Sequence, residues 1–244
     1  MRSPDSIRQV CGRILPYIIP VSFCVLCGEK CGSSNHNHLC KQCFSDLPAI
    51  LSPCNICGDA LSIKVSSNVC GSCLHTRPFY HKSLIPLEYS FPVSHLVKLL
   101  KYKDKVLVSS VLSQILLDRI RQDASGFPEI IIPVPLHPVR LMRRGFNQSA
   151  LIAETISKEL KIPLDQKSCR RIRNTSQQTG FDKSQRGKNI RNAFSVLNSF
   201  SAKHVAIVDD VVTTGSTVNE LAKTLHHAGV EKIEVWACAR TVSV

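Results

Sequence analysis

Eight of the chain's twelve cysteines form four Cys-x-x-Cys pairs: Cys24/Cys27, Cys40/Cys43, Cys54/Cys57 and Cys70/Cys73. Twelve residues separate the first pair from the second, and twelve again separate the third from the fourth. One two-pair unit is therefore present twice, as an internal duplication. Each unit offers four thiolates, the set that a structural zinc takes in tetrahedral geometry. Gly28 and Gly58 each follow a pair directly, where the chain must turn tightly around a metal. The segment holds few large apolar residues, so metal binding would have to supply its folding free energy. Pairing within each unit gives two zinc sites, while cross-braced pairing and a single occupied site remain open. A closed set of four thiolates leaves no free coordination position, so the metal is expected to be structural. A disulfide framework would need an oxidising compartment, and a redox Cys-x-x-Cys would need a strand–helix–strand setting that is absent here. His36, His38, Cys11 and Cys31 lie nearby but are surplus to complete ligand sets.

The remainder of the chain is long enough for one sizeable domain behind this head. The expected division is residues 1–80 for the head and 81–244 for the body. With 43% hydrophobic and 20% charged residues the chain reads as a folded globular protein. The run Ile14–Val21 is apolar but short, is broken by Pro16 and Pro20, and lacks a small-residue cleavage pattern. No membrane span is expected, and the reading is a cytoplasmic protein.

The body alternates strand and helix patterns. Leu84–Ser90 reads as a strand, Pro92–Lys101 and Val106–Gln122 as helices, and Glu129–Leu136 as a buried strand. Asn147 can cap a helix running to Leu160. A long polar stretch extends to about Asn192. His204–Asp209 reads as a strand ending in two acids, Thr217–Ala228 as a helix closed by Gly229, and Ile233–Ala239 as a last strand. Such alternation argues for a parallel α/β sheet, whose ligands bind beyond the carboxyl ends of the strands.

Two strand-to-helix junctions stand out. In the first, the strand delivers Asp209 and Asp210, and then Val211 and Val212 lead into the small, hydroxyl-rich turn Thr213, Thr214, Gly215, Ser216 and Thr217. Backbone N–H groups and hydroxyls at a helix start make an anion site. The adjacent acids would repel a second phosphate but can accept hydrogen bonds from vicinal sugar hydroxyls. Phosphate donors one turn from diol acceptors describe a ribose 5-phosphate site. No Walker A pattern and no G-x-G-x-x-G occur, which removes the ATPase and dinucleotide readings.

In the second junction, Pro135 and Leu136 lead to a basic loop with Arg140, Arg143 and Arg144, and guanidinium groups pair bidentately with phosphate oxygens. A third, polar and basic segment carries Arg171, Arg173, Gln178, Arg186 and Asn189. It reads as a flexible loop closing over phosphates, or as a nucleic-acid contact surface. The formal net charge is +13, and residues 137–191, with thirteen Lys+Arg against four Asp+Glu, hold +9 of it. Such a concentration suits a polyanionic partner. Only Phe146 and Phe181 are available there for base stacking, which weighs against general single-strand stacking but not against phosphate contact.

Residues 205–217 resemble the phosphoribosyl-pyrophosphate (PRPP) signature of type I phosphoribosyltransferases. The four cysteine pairs, Pro-Val-Pro-Leu-His…Arg-Arg-Gly-Phe-Asn-Gln, and Val-Asp-Asp-Val-Val-Thr-Thr-Gly-Ser-Thr together resemble the ComF/GntX family from about Cys24 to Arg240. The resemblance implies a type I phosphoribosyltransferase-like parallel sheet behind a double zinc ribbon. It implies Asp209 and Asp210 on the ribose hydroxyls and in the catalytic role, residues 213–217 on the 5-phosphate, Pro135, Leu136, Arg140, Arg143 and Arg144 on the pyrophosphate, and magnesium accompanying PRPP. It also implies a part in natural competence and DNA uptake, handling incoming single-stranded DNA beside a helicase or recombination mediator. Two other expectations are an active phosphoribosyltransferase with an unidentified acceptor, and a zinc-stabilised docking adaptor.

Overall fold

The computed structural model describes residues 22–31, 38–61, 68–102, 105–123, 126–174 and 190–242. The cysteine-rich segment carries two short helices, α1 (Lys41–Ser45) and α2 (Gly71–His75). The duplication is visible in the backbone at an offset of thirty residues. Cys24 N–H donates to Glu29 O at 2.8 Å and Gly28 N–H to Cys24 O at 2.9 Å. Cys54 N–H donates to Asp59 O at 2.7 Å and Gly58 N–H to Cys54 O at 2.8 Å. Gly28 and Gly58 hold φ of 76° and 73°, the left-handed turn that the spacing implied.

The body contains strands β1 (Lys82–Leu84), β2 (Leu87–Glu88), β3 (Ile130–Pro133), β4 (Cys169–Arg171), β5 (Phe194–Val196), β6 (His204–Val212) and β7 (Lys232–Arg240). Its helices are α3 (Val93–Tyr102), α4 (Lys105–Arg121), α5 (Pro138–Arg144), α6 (Gln148–Leu160) and α7 (Ser216–His227). The main sheet runs β1-β7-β6-β3, with β2 continuing β1 along β7, and every pairing in it is parallel. The expected strand Leu84–Ser90 is two short strands. Pro86 lies between them and has no N–H to give to a ladder.

Alternate residues of β6 and β7 face opposite layers. Ala206, Val208, Trp236 and Cys238 pack with α3, α4 and α6, while Val205, Ile207, Val235 and Ala237 pack with α7. The apolar face of α4, from Val108 to Ile120, is buried, and Leu117 joins it. The two cysteine units dock on different layers. Cys24, Leu39 and Leu47 join the α3/α4/α6 layer, and Ile50, Cys54, Ile56, Cys57 and Cys73 join the α7 layer. Between them, residues 48–50 run beside β2: Ile50 N–H donates to Pro86 O at 2.9 Å and Glu88 N–H to Pro48 O at 2.8 Å. The link between the duplicated units thus covers the β2 part of the sheet edge.

Four further expectations are corrected. The strand β6 does not end at the acids but continues through Asp209 and Asp210 to Val212, because Val211 and Val212 still pair with Ala239 and Arg240. The helix α7 opens at Ser216, one residue before the expected Thr217, and ends at His227, with Ala228 as its exposed C-cap. The basic loop is largely a helix, α5. His137 caps it through an N–H contact from Val139, Pro138 opens it with a φ suited to a first turn, and Gly145 closes it in the left-handed region. The polar segment carries structure at both ends, since β4 and β5 pair antiparallel. Gln178, Arg186 and Asn189 lie outside the described residues, as do Cys11, His36 and Ile14–Val21. No helix among the described residues is long and apolar enough to cross a membrane.

Candidate functional site

The carboxyl ends of β3 and β6 bring together three segments that are far apart in sequence. The buried strand β6 leaves Asp209 and Asp210 half-buried at its last turns. Backbone N–H groups are turned onto these acids: Asp210 N–H donates to Asp209 Oδ1 and Val211 N–H to Asp210 Oδ1, each at 2.9 Å. Ser149 Oγ donates to Asp209 Oδ1 at 2.8 Å. Burial and the adjacent Asp210 carboxylate nevertheless push the Asp209 pKa well above the usual carboxylate range. Burial, and after it the charges of Asp210 and Asp209, push the Cys238 thiol up.

Beyond the acids, Gly215 adopts φ 78° as the N-cap of α7, a conformation that suits a residue without Cβ. Thr214 Oγ1 and Ser216 Oγ are 2.9 Å apart, and Ser216 N–H donates to Thr214 Oγ1 at 3.4 Å. Thr213 is exposed, and Thr214, Ser216 and Thr217 are half-buried. The turn therefore presents hydroxyls at the positive end of a three-turn helix, which suits an anion.

The neighbouring β3 continues into Val134, Pro135 and Leu136 and then α5. Asn147 ties this junction down: its Nδ2 donates to Val134 O at 3.0 Å while its Oδ1 caps α6 by accepting from Ser149 N–H at 3.1 Å. Arg140 is half-buried, and burial together with the neighbouring Arg144 lowers its pKa. Arg144 Nη1 donates to Gln148 Oε1 at 3.1 Å. Arg143 and Arg144 occupy the last turn of α5, where their charge also complements the helix end. Arg143 is exposed.

The third segment adds Arg171 from β4. Its guanidinium lies over the Phe194 ring of β5, 5.6 Å from the centroid. Burial and the charge of Arg140 lower its pKa to about 10, and Asp209 opposes the shift. Arg140 and Arg171 are thus two desolvated cations that feel each other, with an acid beside them. Arg173 is exposed and its Nη1 donates to Arg191 O.

The eight paired cysteines form two groups, Cys24/Cys27/Cys40/Cys43 and Cys54/Cys57/Cys70/Cys73, each with all four sulfurs within 4.8 Å of one another. Pairing is therefore within each repeat and not cross-braced. A zinc–sulfur bond of about 2.3 Å implies tetrahedral sulfur–sulfur edges of about 3.8 Å. Cys27 and Cys40 Sγ are 3.7 Å apart, and Cys57 and Cys70 Sγ 3.6 Å, far beyond a disulfide bond. Burial works against ionising Cys24, but N–H groups of Cys40, Cys27 and Leu26 bring it to about 6. Burial raises Cys57 to about 12 and pushes Cys73 up further, helped there by the Cys57 charge. Four such thiols cannot all ionise unless a cation sits among them, so both sets fit a zinc held by four thiolates, which would brace the ribbons. Cys31, His38 and Cys169 lie outside both groups.

Two residues in the site escaped the sequence reading. Ser149 was legible only as a helix start, although its place next to the basic junction was a usable signal. Arg240 is buried at the end of β7 and lines the cavity beside residues 213–216.

The phosphoribosyl transferase domain model matches residues 147–241. Competence protein F of Haemophilus influenzae is 37% identical over 84% of this chain and 91% of its own length. DNA utilization protein YhgH of Escherichia coli K12 is 34% identical, covering 85% of this chain and 92% of that one. Competence protein ComFC of Bacillus subtilis is 26% identical over 78% of this chain and 79% of its own.

Proposed function

This chain belongs to the family of competence protein F, the ComF family, and from that premise we propose that it binds PRPP or a related phosphoribosyl ligand and handles incoming single-stranded DNA during uptake and use of external DNA. The observation that carries this reading is the Ser149–Asp209 hydrogen bond, which holds the start of α6, next to the basic junction, against the acids at the end of β6, beside the hydroxyl-rich start of α7. In this reading Asp209 and Asp210 accept hydrogen bonds from the ribose hydroxyls. Residues 213–217 take the 5-phosphate. Arg140 and Arg171 take the pyrophosphate, which magnesium would accompany, and Arg143 and Arg144 extend the positive surface outward. The two cysteine sets hold one zinc each.

The same groups suit transfer at the anomeric carbon. Displacing pyrophosphate builds positive charge on the ribose, which Asp209 and Asp210 would stabilise while the arginines hold the leaving group. The relatives' names, which speak of competence and DNA utilization, and the basic run at residues 137–191 support the DNA half of the reading.

Fluorescence anisotropy with a labelled single-stranded oligonucleotide separates the two halves. Arg143→Ala/Arg144→Ala is expected to weaken DNA binding, and Asp209→Asn/Asp210→Asn to leave it intact. If both variants bind DNA as the parent does, the basic junction is not a DNA surface. If the parent binds no DNA at all, the DNA half of the reading is wrong.

A further inference from the structure

A cavity of about 620 Å³ opens between residues 213–216 and the second cysteine unit. Its walls come from both parts of the chain: Cys57, Asp59 and Thr76 on one side, and Thr214, Ser216 and Asn219 on the other. Its size is that of a nucleotide-scale pocket. Of the roles given above, only the phosphate contact of residues 213–217 touches it; the wall formed by Arg240, Arg77 and the second cysteine unit has no such contact.

Arg240 lies in its wall and is 6% exposed. Its Nε and Nη1 are buried and have no hydrogen-bond acceptor. Asp59 Oδ1 is 3.6 Å from Nε, an ion-pair distance that is too long for a good hydrogen bond. A buried guanidinium with two unused donors is costly unless an acceptor arrives. Arg240 also reaches under the phosphate turn. A Cβ built on Gly215 would sit 4.0 Å from Arg240 Nη1 and 3.6 Å from Tyr80 Oη. Arg77, which is exposed, lines the same cavity.

The orientation of Arg240 follows from a break in strand periodicity. Val205 to Val208 alternate strictly between the two layers, and by that count Val211 would join the α7 layer. Val211 instead packs with the α3/α4/α6 layer and Val212 with the α7 layer. On β7, Ala239 likewise joins Trp236 and Cys238. The phase slips by one residue beside the acids, and Arg240 turns toward Cys57, Tyr80 and Gly215 instead of following Trp236 and Cys238.

We propose that Arg240, with Arg77 at the mouth, makes this cavity an anion site shared between the second cysteine ribbon and the phosphate turn, and that it receives the phosphate end of a ribose phosphate ester. The inference rests on the phosphoribosyl reading for the identity of the sugar, but the anion site stands on Arg240 and the cavity. The turn offers hydroxyls and N–H groups from one side. Arg240 offers a charged, desolvated donor pair from beneath, and Asp59 on the ribbon keeps the guanidinium in place. The metal-stabilised ribbon is thereby part of the ligand site.

Calorimetry on the zinc-loaded full chain tests this, with inorganic phosphate and ribose 5-phosphate as probes and Arg240→Gln and Arg77→Gln as variants. Losing a charged hydrogen bond predicts that Arg240→Gln weakens ribose 5-phosphate binding about tenfold or more, and that Arg77→Gln weakens it less. If Arg240→Gln loses its zinc, the exposed Arg77→Gln decides the matter. Parent-like affinity in the decisive variant, or a parent that binds neither probe, overturns the inference. Parent binding of both probes that depends on Arg240, without binding of PRPP, would uphold the anion site and refute the PRPP reading. Equal PRPP binding by the parent and Arg240→Gln would do the reverse.

Discussion

Ser149 Oγ donates a 2.8 Å hydrogen bond to Asp209 Oδ1, joining the first turn of α6 to the end of β6. Sixty residues separate them, and Asn147, which caps α6, also holds the β3 junction through Val134 O. One helix start therefore positions both the acid and the basic junction.

Ser149→Ala removes a donor to a carboxylate, an interaction of about 1.5–3 kcal/mol. It is expected to weaken PRPP binding about tenfold while leaving zinc content unchanged. The hydrogen bond also lowers the Asp209 pKa, so its loss moves the acid limb of PRPP binding to higher pH. Calorimetry across the acid-to-neutral range reads both effects. A uniform loss with no pH displacement would mean that Ser149 acts only on packing.

Asp209 itself carries a stability cost. Its folded pKa is raised above the unfolded value of about 3.9, so the folded state holds the proton more tightly. That contribution is fully present below the unfolded pKa and is lost as pH rises through the folded one. Asp209→Asn removes the dependence. Urea denaturation of parent and variant across pH is expected to show the variant gaining relative stability as pH rises, and to be the more stable protein at neutral pH. A constant difference across pH would contradict the assignment.

The two zinc sites should differ in what depends on them. Each folded chain is expected to carry two zinc ions by elemental analysis, and Cys27→Ser or Cys57→Ser to remove one. Cys54, Cys57 and Cys73 belong to the same apolar cluster as Val205 and Ile207, whereas Cys27 is exposed. Cys57→Ser should therefore lower the melting temperature further than Cys27→Ser, by roughly 4–8 °C for about 2 kcal/mol. Equal effects would show that the second site is no more integrated with the body than the first, whose Cys24 also packs in the core.

Salt dependence reports how many phosphates the basic surface engages. For single-stranded DNA the slope of log K against log salt is about −0.7 per contacted phosphate. Arg143→Ala should flatten the slope by about that amount if Arg143, which is exposed, contacts one phosphate. An unchanged slope places the DNA surface elsewhere.

Much of this arrangement was legible in the sequence, for identifiable reasons. The cysteine spacing gave the two clusters because a tetrahedral metal site imposes its geometry locally. The α6 boundaries followed from Asn147, a cap that acts within one turn. The hairpin of β4 and β5 was not legible: each strand has three residues, and their partners lie more than twenty positions apart. The helix α5 was taken for a loop although Pro138 and Gly145 marked both ends, because seven residues give too little periodicity. Arg240 was missed because period-two counting places it beside Trp236 and Cys238, and only the phase slip at the acids turns it toward Gly215. The contact between Ser149 and Asp209, sixty residues apart, is a tertiary fact that no local pattern carries.

The most direct test is calorimetric titration of PRPP with magnesium into the zinc-loaded chain and into Asp209→Asn/Asp210→Asn. The account predicts one-to-one binding by the parent and none by the folded variant. No binding by a folded, zinc-loaded parent would contradict it and leave the sheet as a scaffold for other ligands.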